Sequence, residues 1–182
     1  MHDASETARA TAERLFLALW PDDAVRTALQ ALVASLGNID ARVVPACNLH
    51  LTLAFLGNVD ASRRHCVEQA CDGVRARELV LPLERVRSRA RGGVLWIEPA
   101  AVPPALTDLV GELRLSLGRC QFEPETRPYR AHVTLARAMR RRGAPVSSAP
   151  IMWRAREFCL VKSVLESSGA RYEIQRRWAL GR

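Results

Sequence analysis

Two short segments carry the side chains best suited to chemistry: His50-Leu51-Thr52-Leu53 and His132-Val133-Thr134-Leu135, each followed by alanine. A given histidine meets the pattern His-apolar-Thr-apolar by accident about once in a hundred. The chain has only four histidines, and two of them meet it. Side chains alternate along a strand, so His50 and Thr52 share one face while Leu51 and Leu53 share the other. The second segment divides in the same way. Each strand then buries a leucine or valine face and presents an imidazole beside a hydroxyl. Two imidazoles that titrate near neutrality can divide the work of general base and general acid in a displacement at phosphorus. Threonine hydroxyls can donate hydrogen bonds to the non-bridging oxygens, where negative charge builds up. Nothing in the residues alone tells donor from acceptor. A lone His-x-Thr reads as a satisfied sheet histidine, whereas the repeated pair favours catalysis. Cys47 and His50 have metal-ligand spacing but lack further ligands, so no metal and no cofactor is expected.

These segments need elements to position them. Arg14 to Trp20 reads as a strand, and Pro21-Asp22-Asp23 opens a helix through about Leu36. Arg42 to Val44 is a short extended piece. His50 to Leu56 is a strand ended by Gly57-Asn58, and Asp60 caps a helix to about Ala76. Glu78 to Val86 and Val94 to Glu98 read as strands around Gly92-Gly93. Pro103 to Leu117 is an amphipathic helix with Leu106, Leu109, Val110 and Leu113 on one stripe. Ala131 to Arg137 is a strand, and Glu157 to Leu165 with Ala170 to Leu180 forms a hairpin turning at Ser167-Ser168-Gly169. This order predicts an α+β fold with mostly antiparallel sheet. The basic run Met139 to Gly143 reads as a solvated loop.

The 182 residues suit one domain spanning 1–182. A hydrophobic fraction of 48% and a charged fraction of 25% exclude a disordered tail, a collagen-like chain and a coiled-coil rod. No apolar run reaches the roughly 20 residues of a membrane helix. Leu15 to Trp20 is too short for a secretory signal, so a cytoplasmic location is expected. The five cysteines are odd in number and unclustered, which predicts mostly small core residues in a reducing compartment. The formal charge is +8, and Lys162 is the single lysine among 27 basic residues. Arginine grips phosphate bidentately. Charge alone says only that a polyanionic partner would be tolerated.

The two motifs together resemble the signature of the two-histidine phosphoesterase superfamily. Within it, the closer likeness is to the bacterial and archaeal RNA 2′,3′-cyclic phosphodiesterases, long called 2′-5′ RNA ligases. PACNLHLTLAFLG at 45–57 is similar to the first motif block, and HVTLAR at 132–137 matches the second. Leu15 to Trp20 with Pro21 resembles the opening strand. Gly93 to Ile97 resembles a central strand bearing a tryptophan, and Ser163 to Leu180 resembles the closing hairpin. The resemblance implies two similar lobes around a central cleft, each supplying one motif. It implies opening of a 2′,3′-cyclic phosphate on an RNA end or short oligonucleotide to a 2′-phosphate, with 2′-5′ joining as a related reaction. It implies that His50 donates a proton to the leaving oxygen, that His132 activates water, and that Thr52 and Thr134 hold the phosphate. A monomer acting without ATP or metal is expected.

Two positions depart from the family pattern. Ala131 stands where proline commonly precedes the second motif, and Val43-Val44 replaces a tryptophan before the first. By alternation, Arg130 reaches the catalytic face and could bind substrate phosphate, although a solvent-facing strand end fits equally. Arg137 matches the family pattern, yet alternation points it away from the cleft unless the strand has ended. Tyr129 is the best candidate to stack on a base, while Trp96 and Phe122 read as core. His65 reads as exposed and structural, and His2 as part of a frayed terminus. The same histidines would serve a phosphodiesterase for another small cyclic nucleotide or for 2′-5′ oligonucleotides. A non-catalytic RNA-end binding module is the reading from another class.

Overall fold

The structure, a computed structural model, describes residues 12–37, 39–89, 93–123, 126–140, 146–167 and 169–181. In chain order the elements are β1 (Glu13–Leu19), α1 (Asp23–Ser35), β2 (Arg42–Val43), a one-turn 3-10 helix (Ala46–Asn48), β3 (Leu51–Val59) and α2 (Ala61–Asp72). There follow β4 (Leu79–Arg89), β5 (Val94–Pro99), α3 (Pro104–Gly118), β6 (Val133–Arg137), β7 (Val146–Ala155), β8 (Glu157–Glu166) and β9 (Gly169–Ala179). Local chemistry sets the helix ends. The Asp22 carboxylate accepts from the Val25 amide at 2.9 Å, and the Asp60 carboxylate accepts from the Arg63 amide at 2.8 Å. Both cap a free N–H of a first turn. In α3, Leu106, Leu109, Val110, Leu113 and Leu117 are all buried, which is the apolar stripe the sequence predicts. Helix α2 stops at Asp72, short of the expected Ala76, with Gly73 at its C-cap.

All strand pairs are antiparallel, and the sheet order is β7-β4-β5-β6-β3-β1-β8-β9, with β2 pairing the far end of β6. This is the expected α+β architecture. The order divides into two four-stranded halves, β7-β4-β5-β6 and β3-β1-β8-β9. Among the described residues a single bridge, Leu51 with Val133, joins them. Each half buries its apolar face in one core that includes Leu17, Leu51, Leu83, Val133 and Trp153. A small second cluster of Phe16, Ala18, Cys159 and Val161 lies apart from that core.

Strand β7 is absent from the sequence reading. Its Ser147-Ser148 and Pro150 break the alternation that marks a strand. Because β7, among the described residues, pairs only with β4, its proline costs no central ladder bond. Arg141 to Gly143 of the basic run, and His2, lie outside the described residues. The cysteine reading needs correction in one respect. Cys66 on α2 and Cys120 just after α3 form a disulfide, with Cα atoms 5.7 Å apart. Cys71 and Cys159 are buried thiols, as expected, and Cys47 is exposed. Among the described residues no helix is long and apolar enough to cross a membrane.

Candidate active site

His50 and His132 each stand one residue before the strand that carries the rest of their motif. The Leu51–Val133 bridge fixes how the two motifs face one another. Extending that antiparallel register by one residue each way sets His50 opposite Thr134 and Thr52 opposite His132. The bridge therefore brings the imidazole of each motif to the side of the seam that carries the other motif's hydroxyl. Leu51, Leu53, Val133 and Leu135 are buried, and the four polar residues are half-buried, as alternation predicts. All four line one cavity of 740 Å³ at the seam between the halves.

The backbone holds both rings in the same way. His50 Nδ1 donates to the Asn48 carbonyl at 2.7 Å, and His132 Nδ1 donates to the Arg130 carbonyl at 2.8 Å. With Nδ1 engaged by an acceptor, Nε2 is the nitrogen left to each ring for proton exchange. The rings differ in their surroundings. Trp20 stacks on His50 with centroids 5.5 Å apart and planes 10° apart. Phe16 lies 4.9 Å away at a tilt, and Tyr172 meets the ring edge-on at 5.1 Å. Burial in this aromatic cage pulls the His50 pKa down from 6.5 to about 4, against the opposing pull of the Asn48 hydrogen bond. The positive charges of Arg137 and His132 add to the lowering.

Sequence reasoning missed this cage, although part of it was legible. Strand alternation puts Phe16 and Ala18 on one face of β1, and Trp20 follows on the same side just past its end; only the unknown neighbour of that face hid its role. Arg137 does line the cavity. The reason is a bulge. Leu95 pairs with Ala136 but Trp96 pairs with Thr134, so Leu135 is an extra residue and the alternation flips beyond it. Trp96 also lines the cavity rather than the core, and its indole N–H donates to Glu98 at 2.7 Å.

Tyr129 and Arg130 sit elsewhere. Both line a second cavity of 320 Å³ that shares Thr52, Phe55 and His132 with the first. The alternation argument for Arg130 fails because β6 begins only at Val133, so it is the carbonyl of Arg130, not its guanidinium, that meets His132. The Tyr129 hydroxyl donates to the Thr52 carbonyl at 3.0 Å, and burial pushes its pKa up. Tyr129 is thus a brace beneath β3 and does not line the larger cavity. Tyr129→Phe should lower stability by about 1 kcal/mol, read as a fall of roughly 2–4 °C in Tm for a chain of this size. Phe122 is half-buried beneath the Arg63 guanidinium, 4.1 Å from the ring centroid. His65 is exposed on α2. Cys47 and His50 acquire no further ligand: among the described residues no group of three or more His, Cys, Asp or Glu is placed to hold a metal ion.

Many of the arginines are tied to acids on the surface. Arg26, Arg64, Arg87, Arg154, Arg171, Arg176 and Arg177 pair with carboxylates. Arg14, Arg89 and Arg137, which line the larger cavity, make no such pair among the described residues. These three guanidiniums give the cleft a positive lining, where an anion would meet it.

Residues 19–96 match the family model described as LigT like phosphoesterase. A protein of Escherichia coli K12 named RNA 2′,3′-cyclic phosphodiesterase is 32% identical over 140 residues, covering 76% of this chain and 80% of that one. A protein of the same name from Archaeoglobus fulgidus is 27% identical over 132 residues, covering 70% of this chain and 74% of that one. The crystal structure of E. coli LigT complexed with 3′-AMP superposes with a TM-score of 0.86 at 29% identity, covering 94% of this chain and 99% of that one. A crystal structure from Thermus thermophilus, with a TM-score of 0.78 and 23% identity, covering 91% of this chain and 97% of that one, shares the fold.

Proposed function

Since the chain belongs to the LigT-like phosphoesterase family, we propose that it is a hydrolase opening the 2′,3′-cyclic phosphate at an RNA end to a 2′-phosphate. The observation that carries this reading is that His50, Thr52, His132 and Thr134 line one cavity beside the Leu51–Val133 bridge that joins the two halves. A phosphate seated there has an imidazole on either side and a hydroxyl beside each imidazole.

His132 Nε2 takes a proton from a water whose oxygen attacks phosphorus. The bond from phosphorus to the 3′ oxygen breaks, and that oxygen takes a proton from His50 Nε2. The product carries a 2′-phosphate and a free 3′ hydroxyl, and the two rings regain their starting states through solvent. Thr52 and Thr134 donate to the non-bridging oxygens as charge builds on them. The aromatic cage keeps His50 neutral near pH 7 until an anion arrives, and the negative phosphodiester is the charge that favours its protonated, donating form. If a 5′ hydroxyl replaces water, the same proton transfers make a 2′-5′ linkage.

The partner is an RNA end or a short oligonucleotide, and the enzyme acts as a cytoplasmic monomer without metal or cofactor. The Cys66–Cys120 disulfide is the feature least at home in a reducing compartment. The test is to incubate a short RNA ending in a 2′,3′-cyclic phosphate with the protein in EDTA and resolve the product. A 2′-phosphate end is expected. An unaltered cyclic end, or a 3′-phosphate, would sink the reading.

A further inference from the structure

Two arginines meet across a pair of strands, and among the described residues no carboxylate is paired with either to offset their charge. Strand β2 is only two residues long, and its register sets Arg42 directly opposite Arg137 on β6. Like charges directly opposite on a sheet destabilise it. Neither guanidinium has a carboxylate or hydrogen-bond partner among the described residues, whereas arginines such as Arg64 and Arg171 are tied to carboxylates. The pairing is nonetheless well anchored: the Val44 amide donates to the Leu135 carbonyl at 2.8 Å, and the Arg140 amide donates to the Asp40 carbonyl at 3.1 Å. A repulsive pair kept in place by the backbone calls for an anion between its members.

The pair lines a cavity of 200 Å³ that shares His50, Thr134 and Tyr172 with the catalytic cleft. It therefore lies on the His50 side. In the reaction proposed above, on which this argument rests, His50 gives its proton to the 3′ oxygen, which belongs to the terminal ribose. That ribose must then sit toward His50, and the next phosphate along the strand hangs from its 5′ carbon. We infer that Arg42, together with Arg137, forms a second phosphate subsite that takes the 5′ phosphate of the nucleotide bearing the cyclic phosphate. The pocket thereby selects an RNA end, or a 5′-phosphorylated nucleotide, over a bare nucleoside cyclic phosphate.

The experiment compares adenosine 2′,3′-cyclic phosphate with its 5′-phosphorylated form, reading the ratio of their kcat/KM values. A bidentate charge-assisted contact of this kind is worth about tenfold or more, so the wild type should favour the 5′-phosphorylated substrate by at least that factor. Arg42→Ala should bring the ratio to about one, and Arg42→Lys, which keeps the charge but loses the fork, should restore only part of it. Arg119→Ala removes the same charge from an exposed site just beyond α3 and should leave the preference in place. In parallel, calorimetry should show adenosine 3′,5′-bisphosphate binding the wild type about tenfold more tightly than 3′-AMP, with the difference lost in Arg42→Ala. A wild-type ratio near one, a preference that survives Arg42→Ala, or one lost equally in Arg119→Ala would overturn the subsite. If the wild type hydrolyses neither substrate, the proposed reaction fails, and the binding comparison still decides whether Arg42 recognises a second phosphate.

Discussion

His132→Ala should lower kcat on a cyclic phosphate by roughly a thousandfold, within the range of about 10²–10⁴ expected when a general acid or base is removed. Affinity for phosphate ends should change by less than about tenfold, because Thr52, Thr134 and the unpaired arginines stay in place. His50→Ala should cost a similar factor. The double variant should be little worse than either single one, since the rings act on one displacement and their effects do not multiply. His132 is the cleaner test. His50 is packed against Trp20, Phe16 and Tyr172, so its removal opens a gap among rings, whereas no aromatic contact is recorded for His132 among the described residues. Steady-state kinetics with near-ultraviolet circular dichroism as the folding control would measure this. A His132→Ala variant that folds and retains more than about a tenth of wild-type kcat would contradict the assignment.

The second large effect is in pH. Burial holds His50 near pKa 4 in the free protein, so the acid limb of kcat/KM should fall near pH 4 and not near 6.5. The limbs of a bell-shaped profile take the two pKa values in order of size, so this position does not depend on which histidine donates. Trp20→Ala removes the stacked ring and admits water, which favours the charged imidazole and moves the limb up by about one to two pH units. At pH 5 the variant should then lose up to about tenfold more activity, relative to its own optimum, than the wild type. Stability follows the same linkage. His50 has a lower pKa folded than unfolded, so between about 6.5 and 4 the unfolded chain binds more protons and stability falls as pH falls through that window. An NMR titration of the His50 ring in wild type and Trp20→Ala reads the shift directly. Equal titration midpoints in the two proteins would show that the cage does not set it.

The faces of the two motif strands were legible because they depend only on local alternation: Leu51, Leu53, Val133 and Leu135 turn inward, so the imidazoles and hydroxyls turn to the seam. The helix entries at Asp22 and Asp60 were legible for the same reason, since a cap is a local event. What was hidden depends on partners far along the chain. Arg137 enters the cleft because one residue bulges out of register against β5, and no feature of HVTLAR announces that. Arg130 was misplaced because β6 starts one residue after His132, so the alternation was carried past the strand's end. Tyr129 looked free to stack on a base, and it is its hydroxyl that matters, reaching a carbonyl 77 positions away. The aromatic cage draws rings from β1 and β9, which meet at the site only once β8 lies between them in the sheet. Pro150 disguised β7 because an edge strand obeys looser rules than a central one.

In the proposed reaction the two imidazoles divide the proton transfers across one phosphate, with His50 serving the leaving oxygen. The most direct measurement replaces the bridging 3′ oxygen of the cyclic substrate by sulfur and compares wild type, His50→Ala and His132→Ala. A thiolate leaves without protonation, so His50→Ala should recover most of its lost rate on the sulfur substrate while His132→Ala stays slow on both. Rescue of His132→Ala instead, or of neither variant, would contradict the division of labour assigned here.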